Sequence, residues 1–513
     1  MNLEFQTNAA ALPAWRTIDA RIERLDGGVD TDLEPAFLAF GEAERQLDRL
    51  FEPDCICVTT GQQPGLLTGP LFTIYKALTA AALAKRLEMC LNRAVVPVFW
   101  VAGDDHDFAE VNHCFVPTGQ GAPEKFVLRE RDPLAPLTPM YREQLGSDIE
   151  SVLEGLEQLS PDTEFRAEFL GWLRSSYRPD SDVASAFAGA MAQLLGRFGV
   201  VVLQPTREKA KSAMASWVVR ALENAANIDR ALAEYSDALK SRGEPAPISS
   251  GNSASTVLIE SEMGRDRLLF EHGEFFTRRG NERWTLDALK EVAANDPQRL
   301  SPNVLLRPVV EAAILPTIAY VAGPGEMKYL PQATPIYELF DVEPQIPVPR
   351  WSGLCIENRT AKVLTKYGIT TSDLALPEGQ LEARVLREKM PEEAEKTIEE
   401  IRTYLDDKYG DLEESTQRLE DSLKKPIVAA RRNALRDLAG VEKKIVGALK
   451  RSNETTVRQL SNARSSIFPL SKPQERIHTV APYLIRYGNA FLDAAHEQCT
   501  QWAAALESSI CDT

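Results

Sequence analysis

Two short apolar runs, each stopping at a glycine and separated by one helix-length segment, constrain this chain more than anything else in its 513 residues. Cys55-Ile56-Cys57-Val58-Thr59-Thr60 is β-branched and ends at Gly61; Val95-Val96-Pro97-Val98-Phe99-Trp100-Val101-Ala102 ends at Gly103. Both have the length and composition of buried strands. Between them the loop Gly61-Gln62-Gln63-Pro64-Gly65-Leu66-Leu67-Thr68-Gly69 leads into a helix expected from about Pro70 to Glu88, with proline suited to its first turn. Strand, loop, helix and strand make a βαβ unit, and hence parallel strands.

The same pattern resumes further on. Strands are expected at Gly199–Gln204 and Ile314–Ala322, with helices over Asp182–Leu195 and Glu208–Tyr235. A mixed or antiparallel insertion is expected around Ser255–Trp284, turning at Arg279-Gly280-Asn281. Residues 1–50 read as helical, through Ile18, Ile22, Leu25, Phe37, Phe40, Leu47 and Leu50. The fold class is therefore α/β: a doubly wound, Rossmann-like parallel-sheet core with inserted subdomains.

From about Glu382 the composition shifts to Glu, Lys, Arg, Leu and Ala. Ala394, Ile398, Ile401, Leu405, Leu412, Leu419 and Leu423 follow the seam of a coiled coil. A second seam runs through Ile427, Ala434, Leu438, Val441, Ile445 and Ala448. Two helices joined near Lys424-Lys425-Pro426 as an antiparallel arm, or one kinked helix, both satisfy the spacing. Exposed seams call for a partner, so a homodimer through the coiled coil is expected. The loop Phe468–Pro473 ends the arm, and a last helix from about Gln474 to Ser508 returns to the core. The expected domains are a core over 1–385, a coiled coil over 386–467 and a C-terminal helix over 468–513.

Bulk properties exclude some functions. The formal net charge of −17 argues against nucleic acid, which needs a concentrated basic surface. No run approaches the roughly 20 apolar residues that span a bilayer, and the first 25 residues lack the pattern of a signal peptide. The expected place is the cytoplasm, with no membrane partner. Seven scattered cysteines without a C-x-x-C fit a reducing compartment, and Cys55 and Cys57 fall on one strand face as small core residues.

Ligands of open parallel sheets bind beyond the carboxyl ends of the strands, and the unusual residues lie there. Gln62 and Gln63 supply paired amides, glycines such as Gly69 let backbone approach a ligand, and the following helix offers free N–H groups to an anion that Lys76 could reach. After the second strand comes Gly103-Asp104-Asp105-His106-Asp107, then Glu110, Asn112 and His113. Flanking carboxylates could orient His106 and raise its pKa for acid–base work. Alternatively, His106 and His113, two helical turns apart, could hold a divalent metal with the aspartates, although no complete ligand set is visible. An acidic helix N-terminus would explain one or two aspartates but not the histidine among them. A third cluster joins Arg307, able to grip a carboxylate, to a glycine-rich loop with Gly323, Gly325, Glu326 and Gln332. An Arg307–Glu326 ion pair is the structural alternative. His272, His478 and His496 read as structural.

These motifs resemble a known family. Gly61 through Lys76, Pro97 through Ala102 with Asp104-Asp105-His106-Asp107 and Asn112-His113, Leu306-Arg307-Pro308, Gly323-Pro324-Gly325-Glu326, Pro349-Arg350 and Lys472-Pro473-Gln474-Glu475-Arg476 resemble, in order, the cysteine ligases of bacillithiol biosynthesis. The resemblance implies a Rossmann-type core similar to class I aminoacyl-tRNA synthetases and a coiled coil used for dimerisation. The reaction it implies joins the carboxyl of L-cysteine to the amine of glucosaminyl-malate, the last step of the pathway. Amide synthesis in water needs an activated carboxylate, most simply an acyl-adenylate, so ATP is the expected cofactor. Another donor, and a metal on the thiol, stay open.

Under that resemblance Gly69, Lys76 and the helix N-terminus, with Gly323 and Gly325, bind phosphate or malate carboxylates. Gln62, Gln63, Asp104, Asn112, Arg307, Glu326 and Gln332 bind substrate. His106, set by Asp105 or Asp107, deprotonates the amine. A synthetase-like adenylate-forming enzyme with another acceptor, and a non-enzymatic coiled-coil scaffold, are the alternatives.

Overall fold

A computed structural model describes residues 3–7, 25, 28–119, 121–417 and 420–505 of the chain. Its central sheet has six strands: β1 (Phe37–Leu38), β2 (Ile56–Gln62), β3 (Val95–Val101), β4 (Val201–Leu203), β5 (Thr317–Ala322) and β6 (Ile346–Pro349). Their spatial order is β6-β5-β2-β3-β4-β1. All neighbours run parallel except β1, which lies antiparallel on β4. The order reverses at β2, whose carboxyl end lies between those of β3 and β5, so this is where a ligand crevice belongs.

Alternation along β2 decides which layer each residue joins. Ile56 and Val58 pack into one apolar cluster with helix α1 (Leu71–Leu91), whereas Cys55 and Cys57 enter the opposite cluster with Met214 and Val218 of α2 (Glu208–Glu223). Both cysteines are fully buried and free. Helix α1 is apolar nearly all round because a C-terminal helix, Ala490–Ala504, covers its outer side with Leu492, Ala495 and Cys499. Each fully buried leucine or isoleucine of α1 contributes on the order of 2 kcal/mol. Gly61 pairs with Trp100 across the sheet, and a Cβ there would sit 2.8 Å from the Trp100 carbonyl oxygen, which restricts the position to glycine.

Several expectations shift in detail. Ile314 ends helix α3 (Arg307–Ile314) instead of opening a strand, because Pro316 forces Leu315 to be extended and β5 starts at Thr317. The helix expected over Glu208–Tyr235 is two helices, Glu208–Glu223 and Ala225–Ser241, broken at Asn224, whose side chain bonds the Arg220 carbonyl. The insertion is antiparallel and has five strands, Arg283–Thr285, Glu274–Thr277, Gly264–Glu271, Ala254–Ser261 and the unanticipated Leu300–Pro302. The described part of the opening segment is not helical throughout: Leu3–Thr7 is a strand on Gly353–Glu357, Thr31–Ala36 is a 3-10 helix, Phe37 and Leu38 form β1, and Glu42–Leu50 is an α-helix. Ile18 and Ile22 lie outside the described residues, as do Leu419 and residues 506–508.

The arm is a hairpin. Glu392–Gln417 and Lys424–Ser452 run antiparallel, with Arg402 bonded to Glu442 (3.0 Å), Asp406 to Arg431 (2.7 Å) and Glu413 to Lys424 (3.1 Å). Pro426 sits in the first turn of the second helix, where its missing N–H has no partner to lose. A further helix, Glu454–Ile467, brings the chain back. The segment after it is a short 3-10 turn, Gln474–Arg476, then helices Ala481–Tyr487 and Ala490–Ala504, not one helix from Gln474. Gly488, at φ +61°, makes the break.

Candidate active site

The carboxyl ends of β2, β3 and β5 open into a cavity of about 550 Å³. Gln62 and Gln63 enter it from the end of β2, Asp104, Asp105 and His106 from the loop after β3, and Gly323, Gly325 and Glu326 from the cap and first turn of the short helix Pro324–Tyr329 that follows β5. Six cationic side chains, Lys76, Arg265, Arg267, Arg307, Arg350 and Arg476, line it with the carboxylates of Asp104, Asp105 and Glu326, and Glu311 and Glu475 stand behind Arg307 and Arg350. An acidic chain has thus gathered a cationic cleft at the switch point of its sheet.

Lys76 is fully buried on α1 and donates to the Gly61 carbonyl, to Glu326 Oε2 (2.7 Å) and to Gln62 Oε1 (3.4 Å). Burial lowers its pKa, and Glu326 opposes that. Burial would raise the Glu326 carboxyl, but Lys76, the Gly323 N–H (2.6 Å) and the Tyr320 hydroxyl (2.7 Å) outweigh it and hold it below the usual range. Arg307 does not pair with Glu326. Its Nη1 donates to Glu311, its guanidinium lies 5.1 Å from the Tyr320 ring centre and 5.8 Å from that of Trp100, and its buried Nη2 has no partner. Arg350, after β6, is held bidentately by Glu475 (2.8 and 2.5 Å), again leaving a buried donor, Nε, without a partner.

The acidic segment behaves differently from its sequence expectation. Asp104 pairs with the buried Lys211 at 2.7 Å, which also donates to the Leu300 carbonyl. Asp105 Oδ1 accepts the backbone N–H groups of His106 (2.6 Å) and Asp107 (3.1 Å), and its Oδ2 accepts from Gln63 Nε2 at 2.6 Å. Gln63 bridges on to Glu110 at 3.0 Å. Asp107 is exposed and does not line the cavity. Neither aspartate therefore orients the imidazole. The ring nitrogen Nδ1 of His106 faces Arg265 Nη1 at 3.4 Å instead. The expected rise in its pKa is reversed: burial and Arg265 lower it against Asp105 and Asp107.

Four other expected roles fail on geometry. Gly69 lies outside the cavity, and the start of α1 is closed by the chain itself, the Leu71 N–H donating to the His478 carbonyl (2.8 Å) and Pro70 bridging Thr479. Asn112 is buried on the Arg129 carbonyl (2.8 Å), and Gln332 is buried between Ser236 and Ile248. His106 and His113 share no helix, since Phe108–Val111 is four residues long and His113 opens a strand. Among the described residues, no three of His, Cys, Asp and Glu converge as a metal site. Nor do the glycine loops suit a nucleotide phosphate. The start of α1 is closed, and the Gly323 N–H already serves the Glu326 carboxylate, which would repel an anion.

Sequence reasoning missed Arg265 and Arg267. They sit two apart on one strand of the insertion, hence on one face, and that spacing in a basic strand was the available signal. Arg350 and Arg476 were visible only through the family motifs.

A Rossmann-like sheet with a cationic cleft at its switch point, extended by a helical hairpin, defines the class of protein. The chain belongs to the BshC family of bacillithiol biosynthesis: residues 32–351 match its N-terminal Rossmann-like domain and residues 353–504 its C-terminal coiled-coil domain. Relatives named "Putative cysteine ligase BshC" are similar over most of their length. The protein of Salinibacter ruber is 31% identical over 87% of this chain and 81% of its own. That of Chlorobaculum tepidum is 30% identical over 88% and 82%, and that of Desulforamulus reducens 28% over 86% and 81%. Among the described residues, no helix is long and apolar enough to cross a membrane.

Proposed function

We propose that this chain is a cysteine ligase acting last in bacillithiol biosynthesis, joining the carboxyl group of L-cysteine to the amine of glucosaminyl-malate. One observation carries the reading. Arg307 Nη2 and Arg350 Nε are buried donors without acceptors beside the cleft, and each guanidinium is already fixed by its own carboxylate. A buried donor left unpaired costs about 1–3 kcal/mol, so such groups are suited to a ligand that brings the acceptor. Both proposed substrates are carboxylates, the malyl group doubly so. Arg265, Arg267 and Arg476 add to the cationic wall that would receive them.

The chain's residues bind and orient; activation of the cysteine carboxyl comes from a donor. The glycine segments offer no open phosphate site, so ATP is one donor to be tested beside others. The same reading has the protein act as a homodimer in the cytoplasm, joined through the hairpin. The test is direct. Purified protein is incubated with cysteine and glucosaminyl-malate, with and without ATP, and the product is sought by mass spectrometry. Bacillithiol formed in proportion to enzyme supports the reading, and its absence with every donor tried, cell extract included, sinks it. Arg307→Ala and Arg350→Ala should each raise KM for a substrate at least tenfold.

A further inference from the structure

His106 and Arg265 come from different parts of the fold. Arg265 reaches the cleft from the inserted sheet, where its Nε donates to Ser301 Oγ (2.8 Å) and its Nη2 to the Pro302 carbonyl (3.1 Å). These two bonds aim its remaining Nη1 at His106 Nδ1, 3.4 Å away. A guanidinium has no lone pair to offer and does not lose its proton in a protein. The nitrogen it meets must therefore be the acceptor, and a neutral imidazole accepting at Nδ1 carries its hydrogen on Nε2. Asp105 and Asp107 favour the imidazolium through their charge, but neither hydrogen-bonds the ring. Asp105 is spent on backbone N–H groups and Gln63, and Asp107 points out of the cavity lining. Arg131, whose Nη1 donates to the His106 carbonyl at 2.9 Å, adds a second cation beside the residue.

We infer that Arg265 is a positioning residue that fixes His106 as the neutral Nε2–H tautomer, so that His106 donates a hydrogen bond to a substrate oxygen instead of accepting a proton as a base. The acceptor it would serve is a carboxylate or acyl oxygen in the cleft. The partner identity rests on the ligase reading, but the tautomer does not.

The experiment uses the full-length protein with ¹⁵N-labelled histidine, the His106 signals being identified by their loss in His106→Gln. At pH 7.5 the ¹⁵N shifts should report a protonated Nε2 and a bare Nδ1. In Arg265→Gln the His106 titration midpoint should rise, because a cation facing the ring is gone while Asp105, Asp107 and Arg131 remain. An Nδ1–H tautomer, or an imidazolium at that pH, overturns the inference. So does an unchanged midpoint in a folded Arg265→Gln. If that variant does not fold, the wild-type shifts decide alone. Turnover gives an independent reading: His106→Gln, whose amide N–H can stand in for Nε2–H, should keep at least tenfold more kcat than His106→Ala, and equal loss in the two returns His106 to a base. Should wild-type protein make no bacillithiol, the ligase reading fails while the spectra still judge the tautomer.

Discussion

Lys76 and Glu326 show how much a single charged pair can carry at the centre of the cleft. The ammonium is 1% exposed, and Glu326 is its counter-charge. Glu326→Gln leaves it facing neutral oxygens, and breaking a buried pair from one side costs on the order of 3 kcal/mol. Urea denaturation should show that loss, and Lys76→Met together with Glu326→Gln should recover at least half of it. Neither residue could be paired with the other from sequence, since they lie 250 positions apart. What sequence did place well were side chains just beyond strand ends, Gln62, Asp104, His106 and Glu326, and Arg307 at the start of α3, all of which reach the cavity. It failed where a residue's partner is a distant backbone group, as with Asn112 on the Arg129 carbonyl, or where the ligand-binding terminus it expected is filled by the chain itself, as with Gly69.

That filled terminus is a property of elements. The start of α1 is bolted to the C-terminal segment by the His478 carbonyl and by Thr479, whose hydroxyl donates to the Leu67 carbonyl at 2.6 Å. His478 itself is fully buried, with Nδ1 2.9 Å from the Tyr483 hydroxyl; burial, then the charge of Arg486, holds it down to about 3 against an ordinary 6.5. Between those two pH values the unfolded chain binds a proton that the folded chain refuses. Stability should therefore fall as pH drops through that window, by up to about 1.4 kcal/mol per pH unit. Urea midpoints measured from pH 7 to pH 4 should show the slope, and His478→Gln should flatten it. An equal slope in both proteins would assign the acid sensitivity to other groups. Among elements, β2 to β5 were legible as continuous apolar runs and the arm by its heptad seam; β6 and Leu300–Pro302 were not, because four and three residues are too short to show either.

At the scale of the molecule, the arm leaves apolar side chains in solvent. Ile401 is 41%, Tyr404 63% and Val441 52% exposed on the hairpin. If a second copy covers them, Ile401→Glu with Val441→Glu should give a monomer by analytical ultracentrifugation while the far-ultraviolet circular dichroism stays that of the parent. An unchanged dimer would move the contact elsewhere. The arm also separates two halves of the cleft in the chain. Arg350 precedes it, and Glu475 and Arg476 follow it, yet Arg350 and Glu475 form one buried bidentate pair across 125 positions. A ribosome making this protein from its amino end must thread out the whole hairpin before Arg350 meets its carboxylate. Any fragment cut short within the arm carries an unanchored Arg350 and lacks Arg476, so premature termination yields proteins that should neither hold the ligand nor compete for it.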